Sequence, residues 1–366
     1  MEKYRVLSGR PWWNARIKSQ DYGAANCDPA VWAHMRENGL SLVVCSRQIG
    51  RVTFLSAGPD EGECFSSVLP LAGAMGAWVD GGTMILGGAD GVSVLRDISS
   101  SDPHTSVFIP VKRHRTGNLG IHDVSWLGGA SRIRFVNTMF SSICELDDVS
   151  GFRTVWRPRV VEEDGPCDCV HMNGMAINPE GGTVVTMLGS GGGAAAWRES
   201  GPDEGVLYGV ADECAISTSL SLPHSPLWSD GQLWFLESGK GLLCQLDVSG
   251  KKRVRKEFDG LARGLSIVGS VAAVGLSPVR KTSGGTSELL KQRFGDRRSC
   301  EVAVVDVASR ASLGGVFLPD VPEISSVHWH RKRAVLVATP ASEEDASYFT
   351  FRESASRAAS GSPLLL

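Results

Sequence analysis

The sequence predicts an all-β fold, a six-bladed β-propeller closed by pairing of N- and C-terminal strands, and three observations support this prediction. A segment made of a polar residue, a short apolar strand, a Gly turn and a second strand recurs six times along the 366 residues. The copies follow one another at close to the roughly 40–50 residues that one four-stranded blade occupies. No long helical period interrupts them, and short β-rich runs with even turns are typical of radially repeated all-β folds.

Each copy opens with a first strand and continues into a second strand after the turn. The first strands open at Met75, His122, Asn173, His224, Arg263 and Ser325. The second strands are expected at residues 83–86, 132–137, 183–186, 232–237, 271–274 and 334–337. Most copies add a third strand that ends in an acidic residue, as in 91–97, 143–147 and 241–247. This succession of strands and turns predicts four-stranded blades.

The two ends of the chain are expected to share one blade. Residues 41–46 and 51–55 resemble the second and third strands of a blade that lacks its first strand. The segment 325–338 is able to supply the missing strands and so to close the ring. The interval before the last copy is long because it contains the polar insertion 281–298, which is predicted to be a loop with a short helix around 287–294.

The repeat predicts one propeller domain over residues 41–345, between two terminal segments. Residues 1–40, with Trp12, Trp13 and Trp32, are expected to form a strap or cap over one mouth of the propeller. Residues 346–366 are dominated by Ser, Ala, Gly and Pro and are expected to be a flexible tail, because such a composition buries little apolar surface.

Composition and charge argue against several classes of function. The chain has 37 Lys+Arg and 40 Asp+Glu, so it lacks the concentrated positive field of a nucleic-acid-binding surface. The basic run 251–256 is interpreted as a solvated hairpin, with a contact patch as the alternative. No apolar stretch of about 18 residues or signal-peptide core is present, so we expect a cytoplasmic protein without a membrane partner. The oligomeric state stays open.

The nine cysteines are expected to be reduced thiols, because no export signal is present and the count is odd. Cys167, Cys169 and His171 have a spacing compatible with a metal site, but structural zinc sites usually add a second Cys pair. The alternative is a loop that happens to contain thiols. The sequence also contains no nucleophile elbow, phosphate loop or credible dinucleotide fingerprint.

Candidate functional residues are identified by their place in the predicted propeller. The first strand of each blade lines the central channel, so the six residues that open the copies are expected to converge on one channel mouth. Asn137 and Glu237, at the far ends of second strands, are expected on a neighbouring ring. Buried imidazoles and charges are costly unless they are paired or used, and we therefore predict a functional site at this mouth.

The predicted catalytic residues are three histidines and one carboxylate. His122 and His224 are predicted to form the proton-transfer pair, because imidazole exchanges protons near neutral pH. Glu237 is predicted to orient them or to act as a second base, and His171 is a further catalytic candidate. The structural alternative for His122 and Glu237 is a tie between neighbouring blades.

Four further residues are predicted to bind a small-molecule substrate: Arg263, Asn137, Asn173 and Asp123. An arginine holds a carboxylate through two parallel hydrogen bonds, and amides hold an oxyanion. The structural alternatives are an Arg263–Glu237 ion pair, a blade tie through Asp123 and a tight turn at Asn173. The cofactor prediction is none, or a single divalent metal bound by Glu237, Asn173 and Asn137.

Six short motifs occur in a fixed order along the chain. They are Gly-Ile-His-Asp at 120–123, Phe-Val-Asn-Thr at 135–138, His-Met-Asn-Gly-Met-Ala at 171–176, Pro-His-Ser-Pro at 223–226, Glu-Ser-Gly-Lys-Gly at 237–241 and Val-Gly-Leu-Ser at 274–277. Over roughly residues 40–340 the chain resembles a family of bacterial proteins described by the DUF4915 domain. The resemblance implies a propeller similar in broad architecture to six-bladed sugar-lactonase and strictosidine-synthase folds, and it implies no particular substrate.

Two functions are compatible with these observations. The first is an enzyme of specialised metabolism that acts on a small molecule at the channel mouth by His and Glu acid–base chemistry, without a redox cofactor. Its class would be lyase, isomerase, cyclase or hydrolase. The alternative is a non-catalytic propeller that binds a metabolite or a partner protein, because the same architecture supports both roles. The polar channel mouth favours the enzyme.

Overall fold

The computed structural model describes residues 25–58, 61–99, 103–128, 132–162, 165–199, 201–247, 249–279, 286–295, 297 and 299–337. Within these ranges the chain forms 26 β-strands and two α-helices. Neither of these helices is long and apolar enough to cross a membrane. Trp12 and Trp13 of the predicted strap and the predicted tail 346–366 lie outside the described residues.

The strands are numbered in chain order. The first thirteen are β1 (Ala25–Cys27), β2 (Ser41–Ser46), β3 (Arg51–Ala57), β4 (Glu63–Pro70), β5 (Ala77–Asp80), β6 (Thr83–Gly88), β7 (Gly91–Asp97), β8 (Thr105–Arg115), β9 (Ile121–Trp126), β10 (Ile133–Asn137), β11 (Ser142–Asp147), β12 (Gly151–Trp156) and β13 (Met172–Ile177). The second thirteen are β14 (Thr183–Met187), β15 (Gly205–Gly209), β16 (Cys214–Leu220), β17 (Pro223–Ser229), β18 (Gln232–Glu237), β19 (Leu242–Leu246), β20 (Lys252–Glu257), β21 (Leu261–Val268), β22 (Val271–Ser277), β23 (Cys300–Asp306), β24 (Ser312–Leu318), β25 (Ser326–His330) and β26 (Ala334–Val337).

The strands form the six blades that the repeat predicts. Blades 2 to 6 are the consecutive antiparallel sets β5–β8, β9–β12, β13–β16, β17–β20 and β21–β24, and in each set the lowest-numbered strand lies at the channel. Blade 1 takes its innermost strand, β25, from the C-terminal part of the chain and its other strands, β2 to β4, from the N-terminal part. Cys45 pairs with Ser326 and Ser41 with His330 in this blade. The predicted closure by both chain ends is therefore confirmed.

Two short strands join neighbouring blades in a way that the repeat did not indicate. β26 was expected to be the second strand of the last copy, but it pairs in parallel with β8 at the outer edge of blade 2. Its amides at Val335 and Val337 also bond to blade 1, because they donate to Ser56 Oγ at 2.9 Å and to Ser67 Oγ at 3.1 Å. β1 lies between β24 and β4 and so connects blades 6 and 1.

The helices pack on the outside of the channel. Helix α1 (Pro29–Glu37) buries Val31 and Met35, one helical turn apart, in the apolar core between blades 6 and 1. No residue of α1 lines the channel, and the predicted strap or cap over one mouth stays a prediction. Helix α2 (Thr286–Phe294) occupies the predicted position in the insertion and packs Leu290 and Phe294 against Leu261.

Glycines allow the inner strands to approach one another at one end of the channel. A Cβ atom on Gly174 would lie 2.4 Å from Pro226 Cδ of the next blade. A Cβ atom on Gly264 would lie 2.4 Å from Val327 N, and its φ of +77° favours glycine in any case. This close contact brings the side chains of successive blades onto a single narrow ring.

Candidate functional site

The inner strands enclose a central cavity of about 320 Å³. All six residues that open the copies line it: Met75, His122, Asn173, His224, Arg263 and Ser325. The opposite end of the same strands contributes Trp78, Trp228 and Trp329 to the lining. The cavity therefore has a polar mouth, where the inner strands begin, and an aromatic end.

His122 is held in one orientation by two hydrogen bonds to its Nδ1 atom. Gly120 O lies 2.9 Å from Nδ1 and Thr138 Oγ1 lies 2.6 Å from it. Thr138 in turn donates its hydroxyl hydrogen to Met172 O of blade 4 at 2.6 Å. Because the Thr138 hydrogen is used in that bond and Gly120 O only accepts, the hydrogen of the ring must lie on His122 Nδ1.

His224 of blade 5 repeats this arrangement. Its Nδ1 lies 2.9 Å from Leu222 O and 2.9 Å from Ser238 Oγ. Ser238 donates its hydroxyl hydrogen to Ala262 O, at the start of blade 6, at 2.5 Å. Both imidazoles thus carry hydrogen on Nδ1, and both keep an Nε2 lone pair that is free to accept a proton.

Both imidazoles are neutral at neutral pH. Burial lowers the pKa of His122 well below its usual value, and the nearby His171, Arg263 and Arg47 lower it further. Burial also lowers the pKa of His224 well below its usual value, and the charge of Arg263 adds to that effect. A neutral imidazole with a defined Nε2 lone pair is a proton acceptor.

His171 forms an Asp–His dyad beside this mouth. Its Nδ1 lies 3.0 Å from Asp168 Oδ1, and Trp197 Nε1 donates to Asp168 Oδ2 at 3.1 Å. The His171 ring stacks on Trp197 at 4.0 Å and meets the His122 ring edge-on at 5.1 Å between centroids. His171 does not line the cavity itself, but it touches a residue that does. A carboxylate on Nδ1 orients the ring and stabilises an imidazolium.

The loop that carries this dyad contains a disulfide between Cys167 and Cys169. The expectation of nine reduced thiols is therefore wrong for these two, because the two sulfur atoms lie within reach of each other only two residues apart. The other seven cysteines form no disulfide. Sulfur atoms bonded to each other are not available as metal ligands, so the structure does not form the alternative Cys167–Cys169–His171 metal site.

Arg263 lines the polar mouth without an internal partner. Its Nε is buried, and no acceptor in the described part of the chain bonds to its guanidinium group. Burial lowers its pKa to about 10, and the charge of Arg47 in the same lining contributes. The alternative of an Arg263–Glu237 ion pair is not formed, because Glu237 pairs with Lys252.

Asp123 and Asn173 also line the cavity. Asp123 accepts from Val124 N and from Met175 N of blade 4, both at 2.9 Å, so it does tie two blades together. Burial raises its pKa to about 7, although these amides oppose the change. Asn173 accepts from Thr186 Oγ1 at 2.7 Å, and its buried Nδ2 has no partner within the described ranges.

Glu237 and Asn137 lie elsewhere than expected. Neither lines the cavity, and both are fully buried inside their own blades. Glu237 accepts from Ser221 N at 2.9 Å and from Lys252 Nζ at 2.5 Å. Asn137 Nδ2 contacts Cys144 Sγ at 3.5 Å. The site is therefore described without these two residues, and their assignment to catalysis and substrate binding stays a prediction.

The predicted metal ligands do not converge. The side chains of Glu237, Asn137 and Asn173 are each hydrogen-bonded to different partners, in blades 5, 3 and 4 respectively. Within the described ranges, no group of three or more His, Cys, Asp or Glu side chains is placed to hold a metal ion.

Sequence reasoning missed the residues that position the histidines. Thr138 and Ser238 each follow the last residue of a second strand, in the motifs at 135–138 and 237–241. Aligning the two copies shows a hydroxyl residue at the same place in both, and this signal could have identified them. Asp168 and Trp197 carry no such signal, because the loop that brings them to His171 is not part of the repeat.

Comparison with solved structures supports the propeller fold. A chain of the nidogen–laminin complex superimposes with a TM-score of 0.54 at 12% identity, covering 80% of this chain and 100% of that chain. A luciferin-regenerating enzyme gives a TM-score of 0.44 at 16% identity, covering 69% and 78%. The calcium-binding protein regucalcin from Agrobacterium tumefaciens gives 0.43 at 13% identity, covering 70% and 73%. The nidogen–laminin chain, at 12% identity, shows similarity of fold alone.

Curated proteins gave no match to this chain. A family of proteins defined by a domain of unknown function does match, over residues 29–332. This range contains all six inner strands and every residue of the polar mouth, in agreement with the resemblance seen in the sequence motifs. The chain belongs to the DUF4915 family.

Proposed function

We propose that this protein is a small-molecule enzyme that transfers protons at the polar mouth of its channel. The observation that carries the proposal is the matched pair of neutral imidazoles, His122 and His224, each fixed through Nδ1 and each with an Nε2 lone pair. A structural role would be satisfied by one hydrogen bond to either nitrogen. Two neutral imidazoles fixed in the same tautomer around one cavity are suited to general acid–base catalysis, because each presents a positioned proton acceptor.

The three histidines have distinct roles in this proposal. His122 and His224 accept a proton from substrate because they are neutral and their Nε2 atoms are unprotonated. His171 has a positioning role: Asp168 Oδ1 lies 3.0 Å from its Nδ1 and fixes the ring, which packs edge-on against the His122 ring at 5.1 Å between centroids. Removal of a proton at one atom and its return at another is the chemistry of a lyase, an isomerase or a cyclase. Activation of water by the same bases would give a hydrolase.

Turnover of a metabolite panel tests the proposal. The full chain would be incubated with hydroxy acids, keto acids, lactones and esters, and consumption would be followed by liquid chromatography and mass spectrometry. His122→Asn and His224→Asn are the informative variants, because the Asn amide can replace the Nδ1 donor while the Nε2 acceptor is lost. His114→Gln, on the outer strand β8, is the control.

The outcomes separate catalysis from simple binding. Consumption of a panel compound by the wild-type protein and by His114→Gln, with loss of about 100-fold or more in both Asn variants, would support proton transfer. A compound that raises the melting temperature but is recovered unchanged would instead support a binding propeller. Equal consumption by the wild-type protein and both Asn variants would refute the assigned roles.

A further inference from the structure

The polar mouth contains an arginine, Arg263, that forms no ion pair with a carboxylate of the described residues. Two other partly buried arginines of this chain are paired with carboxylates, Arg134 with Glu145 at 2.8 Å and Arg297 with Glu301 at 2.7 Å. Arg263 lines the cavity, yet no acceptor in the described residues bonds to it, and its Nε is buried. A buried charge without a partner is costly, so its retention calls for a counter-ion from outside the chain.

The neighbouring groups increase this positive field. Arg47 lies in the same lining, and its charge acts on the Arg263 guanidinium. No side-chain partner for Arg47 is found among the described residues either. His122 and His224 add no negative charge, because both are neutral. Asn173 adds a hydrogen-bond donor, since its buried Nδ2 has no partner in the described ranges.

The charge count favours an anion with a single negative charge. Arg263 is partly buried, with its Nε atom fully buried, whereas Arg47 is exposed to water. The two arginines Arg263 and Arg47 place two positive charges in the lining and the Glu323 carboxyl group places one negative charge there, so a singly charged anion balances the remainder and a phosphate dianion does not. A carboxylate also matches the planar fork of an arginine, which binds both of its oxygens at once.

We infer that the cavity binds a small molecule through a carboxylate held by Arg263, with Arg47 and the Asn173 amide as secondary contacts. The cavity of about 320 Å³ is at the small end of ligand pockets, which fits a metabolite rather than a peptide. A carboxylate-bearing metabolite is thus the substrate class of the proposed enzyme. Binding of the carboxylate does not depend on the proposed catalysis, whereas the reaction that follows binding does.

The order of the blades places the carboxylate across the channel from one base. In a ring of six, blade 6 lies opposite blade 3, so Arg263 faces His122, while His224 of blade 5 is its neighbour. A molecule anchored at Arg263 therefore extends its other end toward His122 and the adjoining His171. The atoms beside the carboxylate are closest to His224.

Benzoate and benzamide provide a matched pair of probes, since they differ mainly in the carboxylate charge. Their affinities, and that of inorganic phosphate, would be measured by ligand-observed NMR on the full chain. Arg263→Met is the test variant, and Arg113→Met, at an exposed position on β8, is the control. We expect Arg263→Met to lose at least about tenfold in benzoate affinity, with benzamide binding unchanged.

Folding of the test variant provides an independent readout. Because the unpaired charge is removed, we expect Arg263→Met to melt at the same temperature as the wild-type protein or higher in the absence of ligand. Tight phosphate binding in preference to benzoate, equal binding of benzoate and benzamide, or undiminished benzoate binding by Arg263→Met would each overturn the inference. His122→Asn is expected to keep benzoate binding, so a failure of the proposed catalysis would leave this result intact.

Discussion

Replacing Glu237 with Gln is expected to destabilise the protein by about 2–3 kcal/mol and to leave the activity of the polar mouth unchanged. The carboxylate is fully buried in blade 5 and accepts from Ser221 N at 2.9 Å and Lys252 Nζ at 2.5 Å. A Gln amide keeps one acceptor oxygen and replaces the other with an NH₂ group. One of the two donors, Ser221 N–H or Lys252 ammonium, then faces another donor.

The size of this loss in unfolding free energy depends on whether Ser221 N–H and the Lys252 ammonium can bond to water instead of Glu237. Ser221 is fully buried, and an amide hydrogen left without an acceptor costs about 1–3 kcal/mol. The Lys252 side chain is 33% exposed and can turn toward solvent, so its ion pair contributes at most about 1 kcal/mol. Urea unfolding of the wild-type protein and of Glu237→Gln measures the sum.

Blade 3 provides the matched control for this prediction. Asn137 and Phe152 occupy there the positions that Glu237 and Lys252 occupy in blade 5. The double variant Glu237→Gln with Lys252→Phe imitates blade 3, and we expect it to recover about 1 kcal/mol relative to Glu237→Gln alone. A Glu237→Gln protein within about 0.5 kcal/mol of wild type that has lost turnover would refute this reasoning and would restore Glu237 as a catalytic residue.

Three further predictions test the ring of inner strands. Ser238→Ala is expected to lower the free energy of unfolding by about 1–2 kcal/mol, because Ala262 O loses its donor, and chemical denaturation measures it. Gly264→Ala is expected to lower the free energy of unfolding by at least about 2 kcal/mol more than Gly231→Ala, because both glycines have positive φ but only a Cβ atom at Gly264 would lie within 4 Å of another blade. Thermal melting compares the two variants, and equal destabilisation would contradict the close packing at Gly264. Chelation is expected to leave the melting temperature unchanged, because the predicted metal ligands do not converge; stoichiometric metal found by plasma mass spectrometry, with destabilisation on its removal, would contradict this.

The repeat made most of the fold predictable. Its period located the inner strand of every blade, and the missing first strand near residue 41 indicated that the chain ends share a blade. The strands β1 and β26 were not predictable in the same way, because β1 pairs with β24 and β26 pairs with β8, both far away in the sequence. Hydrophobic pattern alone does not specify which edge such a short strand will join.

The predicted residues that open the first strands lie at the channel mouth, those at the ends of second strands lie inside their blades, and the functional roles of both sets stay predictions. His122, His224, Arg263 and Asn173 line the cavity because every inner strand runs along the channel. Successive residues of a strand point to opposite faces, so a displacement of one residue changes which side chain reaches the mouth. The side chain of Glu237 is directed into its blade, and that of Ser238, the next residue, reaches His224.

The positive charge of Arg263 also affects the protonation of the two histidines at the mouth. Burial is the main reason that the pKa of His122 and the pKa of His224 are low, and the positive charge of Arg263 lowers both further. Between the lowered pKa in the folded protein and the usual histidine value of about 6.5, the unfolded chain binds a proton at these residues and the folded protein does not. Protonation therefore favours unfolding in this range, and the contribution of the two residues to stability is fully present only above about pH 6.5. That contribution is lost as pH falls from about 6.5 through the lowered values. Burial raises the pKa of Asp123 to about 7, so its contribution to stability has the opposite pH dependence and favours the folded protein at lower pH.

A bound carboxylate would cancel the charge of Arg263 and so make both histidines stronger bases at the moment that substrate is present. We therefore expect Arg263→Met to raise the pKa of His224 and, less strongly, that of His122, as measured by NMR titration of the imidazole signals. The variant isolates the effect of charge, because it introduces no ligand that would also bury the rings. Arg113→Met should leave both pKa values where they are. Unchanged histidine pKa values in Arg263→Met would show that the guanidinium charge does not reach the bases and would separate the anion site from the proton-transfer site.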